Sequence, residues 1–353
     1  MSVIIKGTGS FIPENKISNK DFFQHEFYSE DGEILPHTEI IIKKFKDITG
    51  IDARRYADDT MLNSEMASIA AKRAVADAKI NVEDIDVIIF AHNFGNIPKD
   101  TVQTDLVPCL ATRVKHDLGI KNPNCAAFDI IFGCPGWVQG VILARQYILS
   151  GDAKNVLVIG SEALSRVVDP FDRDSMIYSD GAGASIISHS EGDTSGILSV
   201  GSQTFADEEA YYLFYGASYK KGYTEGTRYI KMHGRKIYEF ALTNVPLAMK
   251  ACMDKAGADI KDLKKIFIHQ ANEKMDEAIV QRFYKLYNIK ELPEHIMPMS
   301  IHELGNSSVA TVPTLLDLVL NEKIDDHRLE KGDLILLASV GAGMSINAIT
   351  YRI

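Results

Sequence analysis

Short, continuously apolar runs alternate with longer segments of helical period along most of the chain. VEDIDVIIFA (82–91) reads as a helix end, a turn and a buried strand, and IKDLKKIFIH (260–269) repeats that pattern 178 positions later. GDAKNVLVIGS (151–161), a turn followed by a buried strand, is repeated by GDLILLASVG (332–341) at nearly the same offset. A helical segment precedes each of these strands, WVQGVILARQYIL (137–149) in one half and VATVPTLLDLVL (309–320) in the other. Strands that are apolar on both sides are covered on both faces, so the pattern predicts α/β layering. Matching offsets in three elements predict two similar α/β halves, roughly 1–178 and 195–353, packed as one unit. Segments 22–48 and 205–230 are rich in Phe, Tyr, Lys and Glu without a clean period. They read as lids over a site, an oligomer interface or plain surface excursions.

Composition narrows the class. The 353 residues are 46% hydrophobic and 24% charged, ordinary for a globular protein, which excludes disorder and fibrous repeats. No apolar run approaches the length that crosses a bilayer, and the opening MSVIIKGTGSFIP lacks a secretory h-region, so a cytoplasmic location is expected. A net charge of −10 argues against nucleic acid as the main partner, though not against a local basic patch. The cysteines, Cys109, Cys125, Cys134 and Cys252, form no C-x-x-C pair and no disulfide framework. Phosphate-loop and dinucleotide fingerprints are missing, and the histidines show no metal-ligand spacing, so no metal is expected.

Cys134 stands apart from the other thiols. In FDIIFGCPGWVQG it sits between a strand-like run and a helix, where free N–H groups and the macrodipole favour thiolate. Pro135 suits the first helical turn, because it has no N–H to lose. A buried core cysteine is the alternative at this position, and Cys125, Cys109 and Cys252 read as packing. His269 ends the strand KIFIH, at the edge where α/β sheets open crevices. Asn306 lies in a Gly-Asn turn before a helix, and taken alone it could be a cap. GAG at 341–343 follows the last strand and could offer backbone N–H groups to an oxyanion.

IIFGCPG, IHQAN, HELGNSS and SVGAGM, in that order in the duplicated frame, resemble the thiolase superfamily, most closely its β-ketoacyl-acyl-carrier-protein synthase III branch. KGTGSFIPENKISN, TGIDARR (49–55), DPFDRDSMIYSDGAGA (169–184) and KMHGRKIYEFA (231–241) extend the resemblance over nearly the whole chain. It implies a five-layer αβαβα fold of two similar halves, usually a homodimer, and no tightly bound cofactor. It implies that Cys134 takes an acyl group from a coenzyme A or carrier-protein thioester. By the same resemblance, His269 and Asn306 hold the malonyl thioester carbonyl during decarboxylation. The N–H groups of Cys134 and Ala342 then meet the acyl oxyanion, and Ala271 and Asn272 of the IHQAN motif adjoin substrate. Two neutral donors aimed at an enolate oxygen stabilise charge that exists only in the transition state.

The sequence departs from that branch in several places. Counting back from Thr49, Lys44 and Ile48 stand where the family's coenzyme A clamp has a tryptophan and an arginine, while Arg173 matches the clamp's other arginine. Trp137 follows Cys134-Pro135-Gly136, where the family has phenylalanine, and is expected beside the acyl chain. Val107 replaces a tunnel phenylalanine and could leave room for a longer acyl group. For the acidic carrier protein, Lys274, Arg282 and Lys285 share one helix face at about 100° per residue. Glu239 replaces a family lysine, and Glu273 and Glu277 dilute the patch. The departures leave two alternatives open: a ketosynthase of secondary metabolism with another acceptor, and a non-catalytic partner subunit of a synthase.

Overall fold

The computed structural model describes residues 2–192 and 195–353. Its strands are β1 (Ser2–Phe11), β2 (Asn15–Ser18), β3 (Ala53–Tyr56), β4 (Val87–Ala91), β5 (Ala126–Ile130), β6 (Asn155–Ala163), β7 (Asp180–Ser190), β8 (Gly196–Thr204), β9 (Leu213–Gly216), β10 (Tyr229–Met232), β11 (Leu263–Ile268), β12 (Leu334–Gly341) and β13 (Ser345–Arg352). Its helices are α1 (Thr38–Thr49), α2 (Asn63–Ala78), α3 (Leu110–Asp117), α4 (Gly136–Ser150), α5 (Gly234–Ala256), α6 (Glu273–Lys285), α7 (Ile301–Leu304) and α8 (Thr311–Leu320).

Two sheets carry the core, in the orders β1-β7-β6-β4-β5 and β11-β12-β13-β8. In the first, β4 and β6 are parallel, and β6–β7 and β7–β1 are antiparallel. In the second, β11 and β12 are parallel, and β12–β13 and β13–β8 are antiparallel. The pairing directions match strand for strand, so β1, β4, β6 and β7 correspond to β8, β11, β12 and β13. The predicted duplication is therefore present. Its first half runs further than expected, because β7 completes the first sheet beyond residue 178.

Helix α2 covers the outer face of the first sheet, α5 and α6 cover the outer face of the second, and α4 and α8 lie between the sheets. This is the five-layer αβαβα arrangement. The middle helices are apolar nearly all round because both of their faces are covered. The carboxylate buried in α8 is satisfied: Asp317 accepts from Thr8 Oγ1 at 2.8 Å and Ser10 Oγ at 2.6 Å, both on β1. An unpaired charge there would cost several kcal/mol.

The two decorations take form. Residues 22–48 wrap a small apolar cluster of Phe22, Phe27, Ile42 and Met176 and end in α1. Residues 205–230 contain β9, which pairs with β10 as a two-stranded ribbon. Among the described residues no helix is long and apolar enough to cross a membrane.

Candidate active site

The parallel strands end toward one crevice, and the chemistry gathers there. Cys134, His269, Asn306 and Ala342 line one cavity of about 250 Å³. Its walls are apolar: Phe94, Leu213, Phe214, Tyr215, Ile230 and Met344. Several belong to the β9–β10 ribbon, so the 205–230 decoration forms one side of the site. A second cavity of about 690 Å³ shares Ile177, Met232, Ile237, Ala271 and Met275 with the first and carries it outward. Arg173, Lys44 and Ile48 line this outer cavity, as do Arg235 and Tyr238, which the motifs do not single out.

Cys134 immediately precedes Pro135, the N-cap of α4. Two glycines bring its backbone against the loop after β12. A Cβ on Gly341 would stand 2.5 Å from Cys134 N, and one on Gly133 would stand 2.8 Å from Ala342 N. The backbone at Cys134 is thereby packed against the Gly341–Ala342 segment, a spacing no larger residue at Gly341 could allow. Burial pushes the Cys134 thiol up to about 11, despite a hydrogen bond from Ser308 that works the other way. The thiolate expected from the helix terminus alone is not the resting state, because desolvation outweighs it.

His269 is 4% exposed, and burial lowers its pKa to about 4, so it is neutral at pH 7. Its backbone N–H bonds Ala338 O, which fixes it at the end of β11 beside β12. Asn306 is buried, and its Oδ1 accepts the Ser308 N–H at 2.8 Å. Asn272 is the N-cap of α6, its Oδ1 accepting from Met275 N at 3.1 Å, and it faces the outer cavity next to Ala271.

Two expected neighbours of the acyl chain lie elsewhere. Trp137 is wholly buried in the core between the sheets and lines neither cavity. A Cβ on Gly160 of β6 would stand 2.3 Å from Val309 O and 3.0 Å from Trp137 Cβ, so the glycine is what lets the start of α4 pack this close to the strand. Val107 is 87% exposed on the loop before α3 and also lies off both cavity walls. Cys125 and Cys252 are buried packing residues, as expected. Cys109 is only partly buried and is the N-cap residue of α3.

On α6, Lys274, Arg282 and Lys285 are exposed. Arg282 also donates from Nη1 to Leu242 O at 2.9 Å, which ties α6 to α5. No group of three or more His, Cys, Asp or Glu among the described residues could hold a metal.

Family models for 3-oxoacyl-[acyl-carrier-protein] synthase III match residues 128–205, and the C-terminal model of the same family matches 253–353. A β-ketoacyl-[acyl-carrier-protein] synthase III of Bacillus cereus is 34% identical over 100% of this chain and 99% of its own. The chain belongs to the β-ketoacyl-[acyl-carrier-protein] synthase III family. The crystal structure of the Aquifex aeolicus 3-oxoacyl-[acyl-carrier-protein] synthase III superposes with a TM-score of 0.81 at 29% identity, covering 99% of this chain and all of that one. The priming β-ketosynthase of the R1128 polyketide pathway also has a TM-score of 0.81, at 25% identity, covering 100% of this chain and 96% of its own. Both neighbours share the thiolase-like fold described above.

Asn93, Glu162 and Ser308 also stand at this site without having been singled out by the motifs. Asn93 and Ser308 line the inner cavity. The signal for Asn93 is its place just past the C-terminal end of β4, where α/β crevices open. The signal for Glu162 is a lone acid within the apolar run VLVIGSEA.

Proposed function

We propose that this chain is a decarboxylative condensing enzyme that joins an acyl thioester to malonyl-acyl-carrier protein through an acyl-Cys134 intermediate, in fatty acid biosynthesis. One observation carries the proposal: Cys134, His269, Asn306 and Ala342, brought from four separate segments, line a single apolar cavity.

The sulfur of Cys134 attacks the thioester carbonyl of an acyl-coenzyme A or acyl-carrier protein. The tetrahedral oxyanion forms beside the N–H groups of Cys134 and Ala342, and its collapse expels the donor thiol, which takes up the proton Cys134 loses. The malonyl thioester then enters from the outer cavity, past Arg173, Ala271 and Asn272. Its carbonyl oxygen sits between neutral His269 and the Nδ2 of Asn306. Loss of CO2 leaves an enolate whose charge these two donors meet, and such donors are worth about 10²–10³ in rate each. The enolate carbon attacks the acyl group, and Cys134 leaves the product as a thiolate that then takes a proton from water. The product is a β-ketoacyl thioester two carbons longer. No step calls for a tightly bound cofactor.

Three further features accompany this reading. An acidic carrier protein is met by Lys274, Arg282 and Lys285 beside the outer cavity. The chain works in the cytoplasm as a homodimer; the dimer is supported by the unpaired edge of strand β5 and by the exposed Leu106, Val107 and Ile131. Val107 lines neither cavity of its own chain, so it meets an acyl chain only from a second copy.

The test is intact mass of the protein after exposure to acyl-coenzyme A, then to malonyl-acyl-carrier protein. Wild type gains the acyl mass on Cys134 and releases a β-ketoacyl-carrier protein; an acyl adduct surviving in Cys134→Ser overturns the assignment. A second reading keeps the acyl-cysteine and changes the acceptor, as in a ketosynthase of secondary metabolism. Lys44 and Ile48 in the outer cavity favour it, because they provide no aromatic platform for an adenine. A product other than the two-carbon extension would establish it. Turnover by the purified protein excludes a non-catalytic partner subunit.

A further inference from the structure

A line of side chains runs from the core to the reactive sulfur, and the steps above make no use of it. Glu162, on β6, is wholly buried. Its Oε2 accepts the backbone N–H of Asn93 at 2.9 Å and the Asn93 Nδ2–H at 2.6 Å. Asn93 Nδ2 also donates to Ser308 Oγ at 3.2 Å. Ser308 Oγ in turn lies 3.4 Å from Cys134 Sγ, its hydroxyl donating to the sulfur.

The direction of each bond follows from the one before. The carboxyl oxygen of Glu162 requires a donor, so it fixes the nitrogen of the Asn93 amide toward itself and toward Ser308. Because Asn93 donates to Ser308 Oγ, that hydroxyl is used as an acceptor on one side and its own hydrogen is free for the sulfur. A hydroxyl rotor is thus held in the one setting that serves Cys134.

We propose that Ser308 is a catalytic residue whose hydroxyl bonds the Cys134 sulfur when it carries negative charge, and that Glu162 and Asn93 are positioning residues that lock it there. The inference rests on Cys134 being the acylated nucleophile. That sulfur is charged twice per turnover, as it attacks the donor and as it leaves the product. A hydrogen bond to a charged form favours that form, and here it opposes the burial that raises the thiol.

The carboxylate's lone pairs matter in this chain, and its charge does not help. Burial pushes Glu162 up to about 7, and its negative charge works against the thiolate. Glutamine at this position keeps an oxygen for both Asn93 bonds and removes the charge. The other ionisable groups facing this line are His269 and Tyr178 at the cavity, with His92 and Tyr215 beside Glu162.

The experiment follows acylation of Cys134 by acyl-coenzyme A and, separately, the pH profile of its alkylation by iodoacetamide. Ser308→Ala removes one oxygen and leaves the Ser308 N–H on Asn306. Acylation is expected to fall about ten- to hundred-fold, the range for a lost hydrogen bond to a charged group. The alkylation profile moves to higher pH, while decarboxylation of a malonyl thioester falls less. Asn93→Ala shifts both readouts the same way. The double variant is no slower than Ser308→Ala, because Asn93 acts through Ser308. Glu162→Gln restores most of what Glu162→Ala loses.

Ser308→Ala with the wild-type acylation rate and alkylation profile overturns the proposal. So do losses at Asn93 and Ser308 that multiply. If wild type forms no acyl-Cys134, the condensing reading has failed instead, and the alkylation profile still decides whether Ser308 serves the sulfur.

Discussion

The side-chain oxygen of Asn306 accepts the backbone N–H of Ser308 at 2.8 Å, and that bond decides which end of the amide is spent on the protein. The oxygen is tied to the turn, so the Nδ2 end is the one left for the cavity that Asn306 lines. A carboxylate in its place keeps the acceptor and loses the donor. Asn306→Asp is therefore expected to fold and to form acyl-Cys134, while CO2 release from malonyl-acyl-carrier protein falls by about 10²–10³. Measuring the two half-reactions separately checks this. Equal losses in both would place Asn306 in general support of the site.

A second expectation concerns backbone spacing. A Cβ at Gly341 would lie 2.5 Å from Cys134 N, closer than packed atoms sit, so Gly341→Ala must push the two loops apart. In the proposed mechanism this displaces the N–H groups of Cys134 and Ala342 that meet the acyl oxyanion. Acyl transfer should drop by about 10² or more, with the thiol still alkylated. Gly201→Ala, whose new Cβ meets nothing nearer than Cys252 Cβ at 4.0 Å, is the control for a β-sheet glycine.

Much of this arrangement was legible in the sequence because it depends on local pattern. The paired offsets of 82–91 with 260–269 and of 151–161 with 332–341 follow from apolar strands that must be covered twice, and the structure pairs them as corresponding strands. Cys134, His269 and Asn306 stood out because each closes or opens such an element. The misplacements arise where tertiary space decides. Trp137 follows the nucleophile in sequence, yet the helix turns it inward over Gly160. The thiolate expected at a helix start yields to desolvation, which no motif encodes. The line from Glu162 to Cys134 joins residues 162, 93, 308 and 134, and nothing local links them.

Acid should unfold the protein partly through His269. Burial holds its folded pKa at about 4 against 6.5 for the free side chain, so the unfolded chain binds a proton that the folded one refuses. The stability that depends on the neutral ring is complete above pH 6.5 and is lost as pH falls toward 4. The loss amounts to about 3 kcal/mol across that window. His269→Asn carries no such proton, so its melting temperature should decline less between pH 6.5 and 4. Parallel decline in both proteins would mean that the ring titrates normally.

Val107 offers a test of the second copy. It is 87% exposed and lines neither cavity of its own chain, so in an isolated chain its size should not matter to the acyl group. In a dimer that brings Val107 to the partner's cavity, Val107→Phe should shorten the longest acyl group trapped on Cys134 from a mixed thioester pool. An unchanged adduct spectrum from a protein shown to be dimeric would remove Val107 from the tunnel.

Carrier-protein docking sets the last expectation. A chain of net charge −10 can attract an acidic partner only through a local patch, and α6 presents Lys274, Arg282 and Lys285 at its surface. These three are not equivalent. Arg282 holds Leu242 O on α5, so reversing its charge would disturb the fold along with the patch. Lys274 and Lys285 make no side-chain bond to another helix among the described contacts, which makes Lys274→Glu with Lys285→Glu the cleaner variant. Its KM for malonyl-acyl-carrier protein should rise several-fold at low salt and less at high salt, because exposed charges are screened within about 10 Å at 0.1 M. Activity with a small pantetheine thioester, which carries no acidic surface, should change little. Equal losses on both substrates would mean that α6 supports the site rather than the partner.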